Sequence, residues 1–427
     1  MNDLPKVLVI ASTPFSKTKN NGKTLSSFFE TYDRNMIAQF SYSGGDSNAE
    51  VCDNYFVLTK DDVVSGKKGK QYTADELITT SGRQYASSGR LSVVRKVFHY
   101  FSQRRMPLAV LIKNRTWDKA DYSQAYKWID VFDPDVVFFQ GFSMAYGYDF
   151  ALNVCEKRNI PMIIELTDDY THRLYPLSII EKINNTRYLK VFAEAIRRSS
   201  KVIVISELMK EEYEKRFGGN MIVMMNSVTQ PNNTETKRVT GDYVYAGNLL
   251  LNRWRILKNL GKALSQSNPG AVLNIYTPDE PPKKILKSLT KVKSINYGGR
   301  LKKDELEERL KKCEYVVHVE AFDKKNRKIT RLSMSTKISE YVASGAKLLA
   351  IGPSDVASMR RIAECKLGMC INSPTVSSII SSLKSKDKVL IDDSQKKQFL
   401  IECDSHRNSM YIQSEISNTV KQKKSTE

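Results

Sequence analysis

Short apolar runs rich in β-branched residues alternate with amphipathic helical stretches along most of this 427-residue chain. This alternation is typical of parallel sheets that carry helices on both faces. The sequence therefore predicts an α/β chain with two Rossmann-like domains that face each other across a cleft, with a site at the carboxyl ends of the strands. The predicted strands cover residues 6–12, 55–59, 135–141, 161–167, 201–207, 221–227, 244–249, 272–276, 294–299, 315–321, 347–352 and 369–372.

A polar stretch near the middle of the chain, residues 229–241, lacks apolar periodicity and is typical of a linker. We therefore predict an N-terminal domain over 1–228, a linker over 229–240, a C-terminal domain over 241–395, and a C-terminal helix with a polar tail over 396–427. The lysine-rich end, ISNTVKQKKSTE, is expected to be frayed. Beyond the possible strand at 55–59, residues 41–85 give little structural signal.

The chain is strongly basic, with 67 Lys and Arg against 47 Asp and Glu and a formal charge of +20. This excess favours an anionic partner such as a phosphorylated substrate, an anionic lipid surface or a nucleic acid, and charge alone does not choose among them. No apolar run approaches the roughly 18 residues of a membrane-spanning helix. The six scattered cysteines suggest neither a zinc cage nor a disulfide framework, so we expect a cytoplasmic protein.

Residues 89–117 combine apolar residues at helical spacing with arginines. Phe98 and Phe101 belong to the apolar stripe, and Arg95, Arg104 and Arg105 flank it. One interpretation is a helix that lies on an anionic membrane surface or contacts the acceptor. The other is an ordinary helix with its apolar side in the core, and the sequence leaves both open.

The segment NNGKT follows the first predicted strand and contains half of a phosphate-binding P-loop. The complete motif needs a second glycine five positions before Gly22, where the sequence has Lys17. The sequence therefore argues against a P-loop nucleotide hydrolase.

The segment RLSMSTKISEYVASG contains the most informative polar cluster. Ser335, Thr336 and Lys337 place hydroxyls, backbone N–H groups and a cation at a predicted helix start, which suits a diphosphate. Glu340, one turn further, could accept hydrogen bonds from ribose hydroxyls. The alternative is a surface ion pair between Lys337 and Glu340, with the hydroxyls as helix caps.

From these residues the chain resembles the retaining, family-four-like glycosyltransferases of the GT-B fold. TKISEYVASGAKLLAIG resembles their donor-binding signature, and supporting matches follow the family order along the chain: NNGKT, VIVISELMKEEYEKRFG, MMNSV and YAGNLLLNRWRILKNL. The resemblance implies transfer of a sugar from a nucleotide diphosphate sugar to a lipid-linked or polysaccharide-precursor glycan. It also implies retention of configuration, no metal and no nucleic-acid partner. Peripheral binding at the inner face of the plasma membrane is compatible with it.

The resemblance also assigns donor-binding residues. Gly22 would let the first domain approach the donor diphosphate, although a simple turn glycine is the alternative. Gly247 follows a strand of the second domain, and the basic residues after it, Arg253 and Lys258, would neutralise the diphosphate. Because these two lie five positions apart, an ideal helix does not aim both at one point, and Arg253 is preferred.

The sequence departs from the family at one glutamate. Many members carry two glutamates separated by seven residues, but Leu332 stands eight positions before Glu340. Glu320, at the end of the preceding strand, could reach the donor sugar, with the basic loop 324–331 folding over it. Arg331 would then join the phosphate-binding cluster, while a structural ion pair of Glu320 is the alternative.

In the N-terminal domain, Asp168, Asp169 and His172 follow the predicted strand 161–167 and are candidates for acid–base or acceptor contacts. The alternative is a loop whose aspartates cap the next helix. The adjacent aspartates diverge in an extended segment, so a shared metal is not expected. His318, in an apolar strand, is predicted to be a core residue.

Two other functions remain compatible with the sequence. A nucleotide-sugar 2-epimerase would use the same fold and the same donor without an acceptor. A non-catalytic protein that binds anions or membranes through its basic surface would not need a donor.

Overall fold

The computed structural model describes residues 4–17, 20–45, 47–79, 106–225, 237–385 and 392–425. Within these ranges the chain forms two compact units, Met1–Met224 with Ser405–Glu427, and Met225–Asp404. Both are parallel-sheet α/β units, which confirms the two predicted Rossmann-like domains. The proposed membrane-surface or acceptor-contacting residues Arg95, Phe98, Phe101, Arg104 and Arg105 lie outside the described residues, so that prediction is untested.

The first unit is built on an eight-stranded sheet in the order β4-β3-β2-β1-β5-β6-β7-β8. Its strands are parallel except for the antiparallel pair of β3 and β4. Every residue of β1, β2, β5 and β6 is buried, as expected for strands covered on both faces. The strands are β1 Val7–Ala11, β2 Ile37–Ser41, β3 Tyr55–Val57, β4 Lys70–Tyr72, β5 Val136–Gln140, β6 Met162–Leu166, β7 Lys201–Val204 and β8 Met221–Val223.

Helices of the first unit cover this sheet. Ser178 and Ser206 cap two of them by accepting hydrogen bonds from the N–H groups of Glu181 and Met209. The helices are α1 Asn20–Phe28, α2 Lys60–Val64, α3 Pro107–Trp117, α4 Ser123–Phe132, α5 Ala145–Arg158, α6 Ile179–Arg198 and α7 Glu207–Phe217.

Strand β2 was not anticipated from the sequence. The apolar stripe Leu25, Phe28, Phe29, Tyr32 and Met36 has helical spacing and predicts one helix that reaches Met36, but α1 ends at Phe28. The stripe residues Phe29 and Tyr32 are still buried, because the chain beyond the helix packs into the same core. Polar residues obscured the strand, and one of them, Gln39, is buried and accepts a hydrogen bond from the Phe15 N–H at 2.8 Å.

The second unit has a six-stranded, wholly parallel sheet in the order β11-β10-β9-β12-β13-β14. Its strands are β9 Val239–Ala246, β10 Val272–Tyr276, β11 Ile295–Gly299, β12 Cys313–Val319, β13 Lys347–Ile351 and β14 Gly368–Ile371. The chain runs from β9 outward to β11 and then returns to the other side of β9 as β12. The strand order therefore reverses between β9 and β12, which is where open α/β sheets bind ligands.

Eight described helices accompany the second sheet. The sequence pattern predicts helices over 303–312 and 253–266, and these match α10 and α8 within one residue. The helices are α8 Arg253–Ser267, α9 Lys283–Thr290, α10 Lys303–Lys312, α11 Lys324–Thr330, α12 Lys337–Ala343, α13 Ala357–Glu364, α14 Val376–Lys384 and α15 Asp393–Glu402.

The expectation of a frayed C-terminal tail is wrong. Residues Ser405–Ser425 form a helix, α16, that belongs to the first unit. Ile412, Ile416 and Val420, spaced four residues apart, are buried in the core of that unit. The lysine-rich composition of this segment describes only the outer face of the helix.

Within the described ranges, no helix has the length and apolar character needed to span a bilayer.

Candidate functional site

The reversal point of the second sheet brings two predicted site residues together. Gly247 directly follows β9, and its N–H donates a hydrogen bond to the Tyr276 carbonyl at 3.0 Å. Glu320 directly follows the neighbouring strand β12, and its N–H donates to the Ile351 carbonyl at 2.9 Å. Both residues therefore lie at the carboxyl edge of the sheet, on adjacent strands.

Arg253, the first residue of α8, forms an ion pair with Glu320. Its guanidinium Nη2 lies 3.2 Å from Glu320 Oε2, and the Glu320 side chain is only 3% exposed. On the other side, His318 Nε2 lies 3.3 Å from Glu320 Oε1. Burial alone would raise the pKa of Glu320, but the His318 contact and the Arg253 charge outweigh it and lower that pKa. Both oxygens of Glu320 are thus engaged, as the ion-pair alternative predicted, and His318 is buried but contacts the site.

The turn before Arg253 has an unusual backbone. Leu251 and Asn252 have φ values of 56° and 60°, in the left-handed region that residues other than glycine rarely adopt. The Asn252 side chain donates a hydrogen bond to Asp323 Oδ2 at 3.1 Å. Asp323 also caps α11 by accepting from the Asn326 N–H. The strained turn is therefore held by a contact that also fixes the segment after β12.

The Lys258 side chain does not contact the Arg253–Glu320 ion pair. Its ammonium group donates a hydrogen bond to the Ser288 hydroxyl of α9 at 2.8 Å. The spacing argument that Arg253 and Lys258 point in different directions agrees with this geometry.

Helix α12 is attached to the end of β9 through Tyr341. The Tyr341 hydroxyl donates to the Ala246 carbonyl at 2.9 Å and accepts from the Ala246 N–H at 3.2 Å. Tyr341 is buried, so these bonds are shielded from water. The tyrosine of the E-Y-x-A-x-G pattern thus fixes α12 to Ala246, the residue that precedes Gly247.

Replacement of Tyr341 by Phe should test this attachment. The change leaves the buried N–H and carbonyl of Ala246 without their partner, so we expect the unfolding free energy to fall by about 1–3 kcal/mol. Urea denaturation measures the change. A variant as stable as the wild type would contradict the attachment.

The polar residues at the start of α12 make different contacts. Lys337 and Glu340 lie in the first turn of the helix, and the Thr336 side chain makes no capping hydrogen bond. Within the described ranges, the Lys337 ammonium group makes no ion pair or hydrogen bond. The Ser335 N–H donates to the Ser358 hydroxyl at 3.1 Å, which holds the preceding loop against α13.

Residues 324–331 do not form the predicted basic loop. Residues Lys324–Thr330 form helix α11, which Asp323 caps at its N-terminus, and Arg331 directly follows the helix. The Arg331 carbonyl accepts a hydrogen bond from the Ala357 N–H at 2.8 Å, so its backbone is tied to α13. Arg331 and Ser335 thus contact the same helix, α13, through backbone groups.

In the first unit, Asp169 organises the loop after β6. Its Oδ1 accepts hydrogen bonds from the Thr171 N–H, the Thr171 hydroxyl and the Tyr213 hydroxyl at 2.7 to 2.8 Å. Burial would raise the pKa of Asp169, but these bonds and the His172 contact outweigh it and hold that pKa well below its usual range. Asp168 Oδ2 accepts from the Tyr170 hydroxyl at 3.3 Å. Neither aspartate caps α6, since Ser178 does so.

His172 lines a small polar pocket in the first unit, with a volume of about 30 Å³. Its Nδ1 lies 3.5 Å from Asp169 Oδ2. His172 Nε2 and Asn114 Oδ1 are buried and have no hydrogen-bond partner within the described part of the chain. Such buried polar atoms need an explanation, and hydroxyl groups of a ligand would supply the missing partners. The pocket is lined by Pro107, Val110, Asn114, Ser143, Ala145, Tyr170, His172, Glu181, Asn184, Asn185 and Tyr188.

Glu165, a buried carboxyl in β6, was missed by the sequence reasoning. Its Oε2 accepts a hydrogen bond from Gln140 Nε2 at 2.8 Å, and burial raises its pKa to about 7. The sequence did contain an indication of this residue. Glu165 lies inside the apolar run PMIIELT, and burial of a charged side chain in a strand costs folding free energy.

Replacement of Glu165 by Gln should change how stability depends on pH. The folded protein retains a proton that the unfolded chain releases near pH 4.5, so wild-type stability should fall as pH rises from about 4.5 to about 7. Glutamine carries no proton to lose, so the free energy of unfolding of the variant should not fall over this range. At pH 8 it should exceed that of the wild type by about 1–3 kcal/mol. Urea denaturation at pH 5 and pH 8 measures it, and an equal pH dependence would contradict the assignment.

Gly22 lies inside helix α1, not in a turn before it. A Cβ atom at this position would lie 2.5 Å from the Pro14 carbonyl oxygen and 2.8 Å from Ser16 Cβ. The Ser16 N–H in turn donates to the Gly22 carbonyl at 3.2 Å. The loop after β1 therefore packs on the helix so closely that only glycine fits.

Replacement of Gly22 by Val should consequently reduce both stability and sugar transfer, since overpacking costs about 1–3 kcal/mol. Replacement of the exposed neighbour Lys23 by Ala should change transfer by less than about threefold. Thermal unfolding and initial rates of both variants measure the effects. The reverse ranking would restore the P-loop interpretation.

No group of three or more His, Cys, Asp or Glu residues among those described is placed to hold a metal ion.

Comparison with known proteins finds one family match, which covers part of the chain. Residues 79–228 match the family model described as Glycosyltransferase Family 4. A search of curated protein sequences finds no match.

Solved structures match nearly the whole chain. Sucrose-phosphate synthase from Thermosynechococcus elongatus matches with a TM-score of 0.57 and 9% identity, over 99% of this chain and 100% of that one. The UDP-forming α,α-trehalose-phosphate synthase from Burkholderia xenovorans, in complex with glucose-6-phosphate, gives 0.54 and 8%, over 97% and 99%. The E. coli trehalose-6-phosphate protein bound with UDP-2-fluoro glucose gives 0.56 and 11%, over 97% and 99%. At these identities the similarity establishes the GT-B fold. The family 4 match covers residues 79–228, about a third of the chain, and lies almost entirely in the part of the sequence that precedes the second unit.

Proposed function

We propose that the second unit binds a nucleotide diphosphate sugar at the carboxyl ends of β9 and β12, and that the enzyme transfers the sugar to a lipid-linked or polysaccharide-precursor glycan. The observation that carries the proposal is the Arg253–Glu320 ion pair at the reversal point, where Tyr341 also attaches α12 to the end of β9. The structural match bound with UDP-2-fluoro glucose supports this class of donor.

Charge stabilisation would drive the reaction. As the bond between the anomeric carbon and the diphosphate oxygen breaks, negative charge grows on the leaving diphosphate. Arg253, Lys337 and the N–H groups at the start of α12 would stabilise this charge without a metal. Ser335 and Thr336 would donate hydrogen bonds to phosphate oxygens, with Arg331 as a further cation, and Glu340 would accept from the ribose hydroxyls.

Glu320 would act by holding Arg253, because both its oxygens are already engaged and its side chain is buried. Gly247 would act through its backbone, since a Cβ there would lie 2.8 Å from the Tyr245 hydroxyl and any other residue would force that side chain to shift. Lys258, which contacts Ser288, has no part in this mechanism. Retention of configuration remains an implication of the family resemblance.

The pocket of the first unit, with a volume of about 30 Å³, would receive one hydroxyl group of the acceptor. His172 Nε2 and Asn114 Oδ1 are the buried polar atoms available to acceptor hydroxyls. Asp169 would fix the loop that carries His172, with Asp168 contributing through Tyr170. In this assignment the two aspartates support the pocket and do not themselves take up a proton.

Acceptor dependence tests the proposed transfer. The protein is incubated with a radiolabelled nucleotide sugar, with and without a lipid-linked disaccharide, and the release of nucleoside diphosphate is measured. We expect release to require the acceptor and the label to move to the lipid. Conversion of the donor to its 2-epimer without an acceptor would contradict transfer and favour the epimerase.

A further inference from the structure

Five exposed apolar side chains lie on one pair of helices in the first unit or just before one of them. Leu177 is 98% exposed and Ile179 is 76% exposed, although both are large aliphatic residues. Exposed apolar side chains that occur together mark interaction surfaces, whereas isolated ones need no explanation. The five residues, which we name the α3–α6 face, are Leu108, Ile112, Leu177, Ile179 and Ile183.

The two helices that carry this face are joined directly. Asn184 Nδ2 of α6 donates a hydrogen bond to the Pro107 carbonyl of α3 at 2.8 Å. Leu108 and Ile112 are four residues apart on α3, and Ile179 and Ile183 are four residues apart on α6, so each pair lies on one side of its helix. Further along, the Arg187 guanidinium binds the Asp118 carboxylate at 2.6 and 2.8 Å. The face therefore lies on two helices that are joined at two places.

The same helices carry exposed cations whose charge is not neutralised. Arg115 of α3, and Lys182 and Lys190 of α6, are exposed and make no ion pair with any residue that the structure describes. The acidic neighbours are engaged elsewhere. Asp118 binds Arg187, and Glu181 accepts hydrogen bonds from backbone N–H groups of the preceding loop.

The α3–α6 face borders the polar pocket. Pro107 and Val110 of α3, and Glu181 and Asn184 of α6, line the pocket that also contains His172. The same two helices thus present an apolar surface to the outside and polar side chains to the pocket.

We propose that the α3–α6 face docks on an anionic lipid bilayer and brings the pocket to the level of the lipid headgroups. Apolar side chains interspersed with uncompensated lysine and arginine are what such a surface binds, through apolar burial and attraction to anionic lipids. The inference rests on the proposed acceptor class, because a lipid-linked glycan is reached at this depth.

Vesicle sedimentation tests the docking surface. The full-length protein is mixed with vesicles of phosphatidylcholine alone or with 30% phosphatidylglycerol, a composition of roughly physiological charge. We expect binding to the anionic vesicles. The triple variant Leu177→Ser, Ile179→Ser, Ile183→Ser should bind them at least tenfold more weakly, since burial of one isoleucine is worth about that factor.

Val131→Ser is the matched control, because Val131 is 87% exposed on α4 of the same unit and lies outside the face. It should bind vesicles like the wild type. Failure of the wild type to bind anionic vesicles, or equal binding by the triple variant, would overturn the proposal. A dimer that light scattering detects in the wild type and not in the triple variant, without vesicle binding, would instead assign the face to a second copy.

Nucleotide-sugar binding, followed by thermal shift in the same preparations, separates this inference from the proposed function. Donor binding without vesicle binding would overturn the docking surface alone. Vesicle binding without donor binding would uphold the surface and contradict the transferase proposal.

Discussion

Replacement of Arg253 by Ala should lower kcat/KM for sugar transfer by roughly 100- to 1,000-fold, the loss seen when one preorganised donor to a developing negative charge is removed. The side chain lies at the reversal point of the second sheet, where its Nη2 is 3.2 Å from Glu320. Affinity for the nucleoside diphosphate should fall with it, because the product carries the charge that Arg253 stabilises. Initial rates and calorimetric titration measure both effects.

The single variant leaves Glu320 buried with His318 as its remaining partner, which costs stability independently of catalysis. The double variant Arg253→Met, Glu320→Gln removes both charges and should unfold at nearly the wild-type temperature while transfer remains low. Arg255→Ala is the control, since Arg255 is exposed and lies over the Trp254 ring. Transfer by the double variant at the wild-type rate would remove Arg253 from the mechanism.

Replacement of Lys337 by Ala should lower transfer by roughly 100-fold with almost no change in stability. Within the described ranges its ammonium group has no protein partner, so folding does not depend on it, whereas the proposed diphosphate does. Thermal unfolding and initial rates of the same preparation separate the two.

Lys347→Ala provides the comparison for Lys337, because Lys347 is an exposed lysine of the same unit that pairs with Glu314 at 3.3 Å. It should transfer sugar at the wild-type rate. Equal and small effects of both substitutions would indicate a distributed basic surface and not a defined donor site.

The alternation of apolar runs was sufficient to predict both parallel sheets, because fully buried strands must be apolar on both faces. It could not predict which strands become neighbours. Arg253 and Glu320 are 67 positions apart, and their ion pair exists because β12 returns to the open side of β9. The sequence therefore indicated both residues but left open whether Glu320 contacts sugar or arginine.

Two other features could not be predicted from the sequence: the full extent of helix α16 and the exposure of Leu177 and Ile179. The lysines of the C-terminal segment concealed Ile412, Ile416 and Val420, whose spacing builds α16. The exposure of Leu177 and Ile179 had no signal at all, since an apolar residue at a helix start is ordinarily expected in the core.

A thermal-shift panel tests the central claim, that the second unit holds a nucleotide diphosphate sugar, most directly. UDP, GDP, ADP, CMP and TDP species and their sugars are added separately to the full-length protein and to the Arg253→Met, Glu320→Gln variant. A ligand that binds only the folded state raises the unfolding temperature by mass action. The account predicts that one nucleotide class stabilises the wild type and has a much smaller effect on the variant. No response to any nucleotide, or the same response in both proteins, would contradict it.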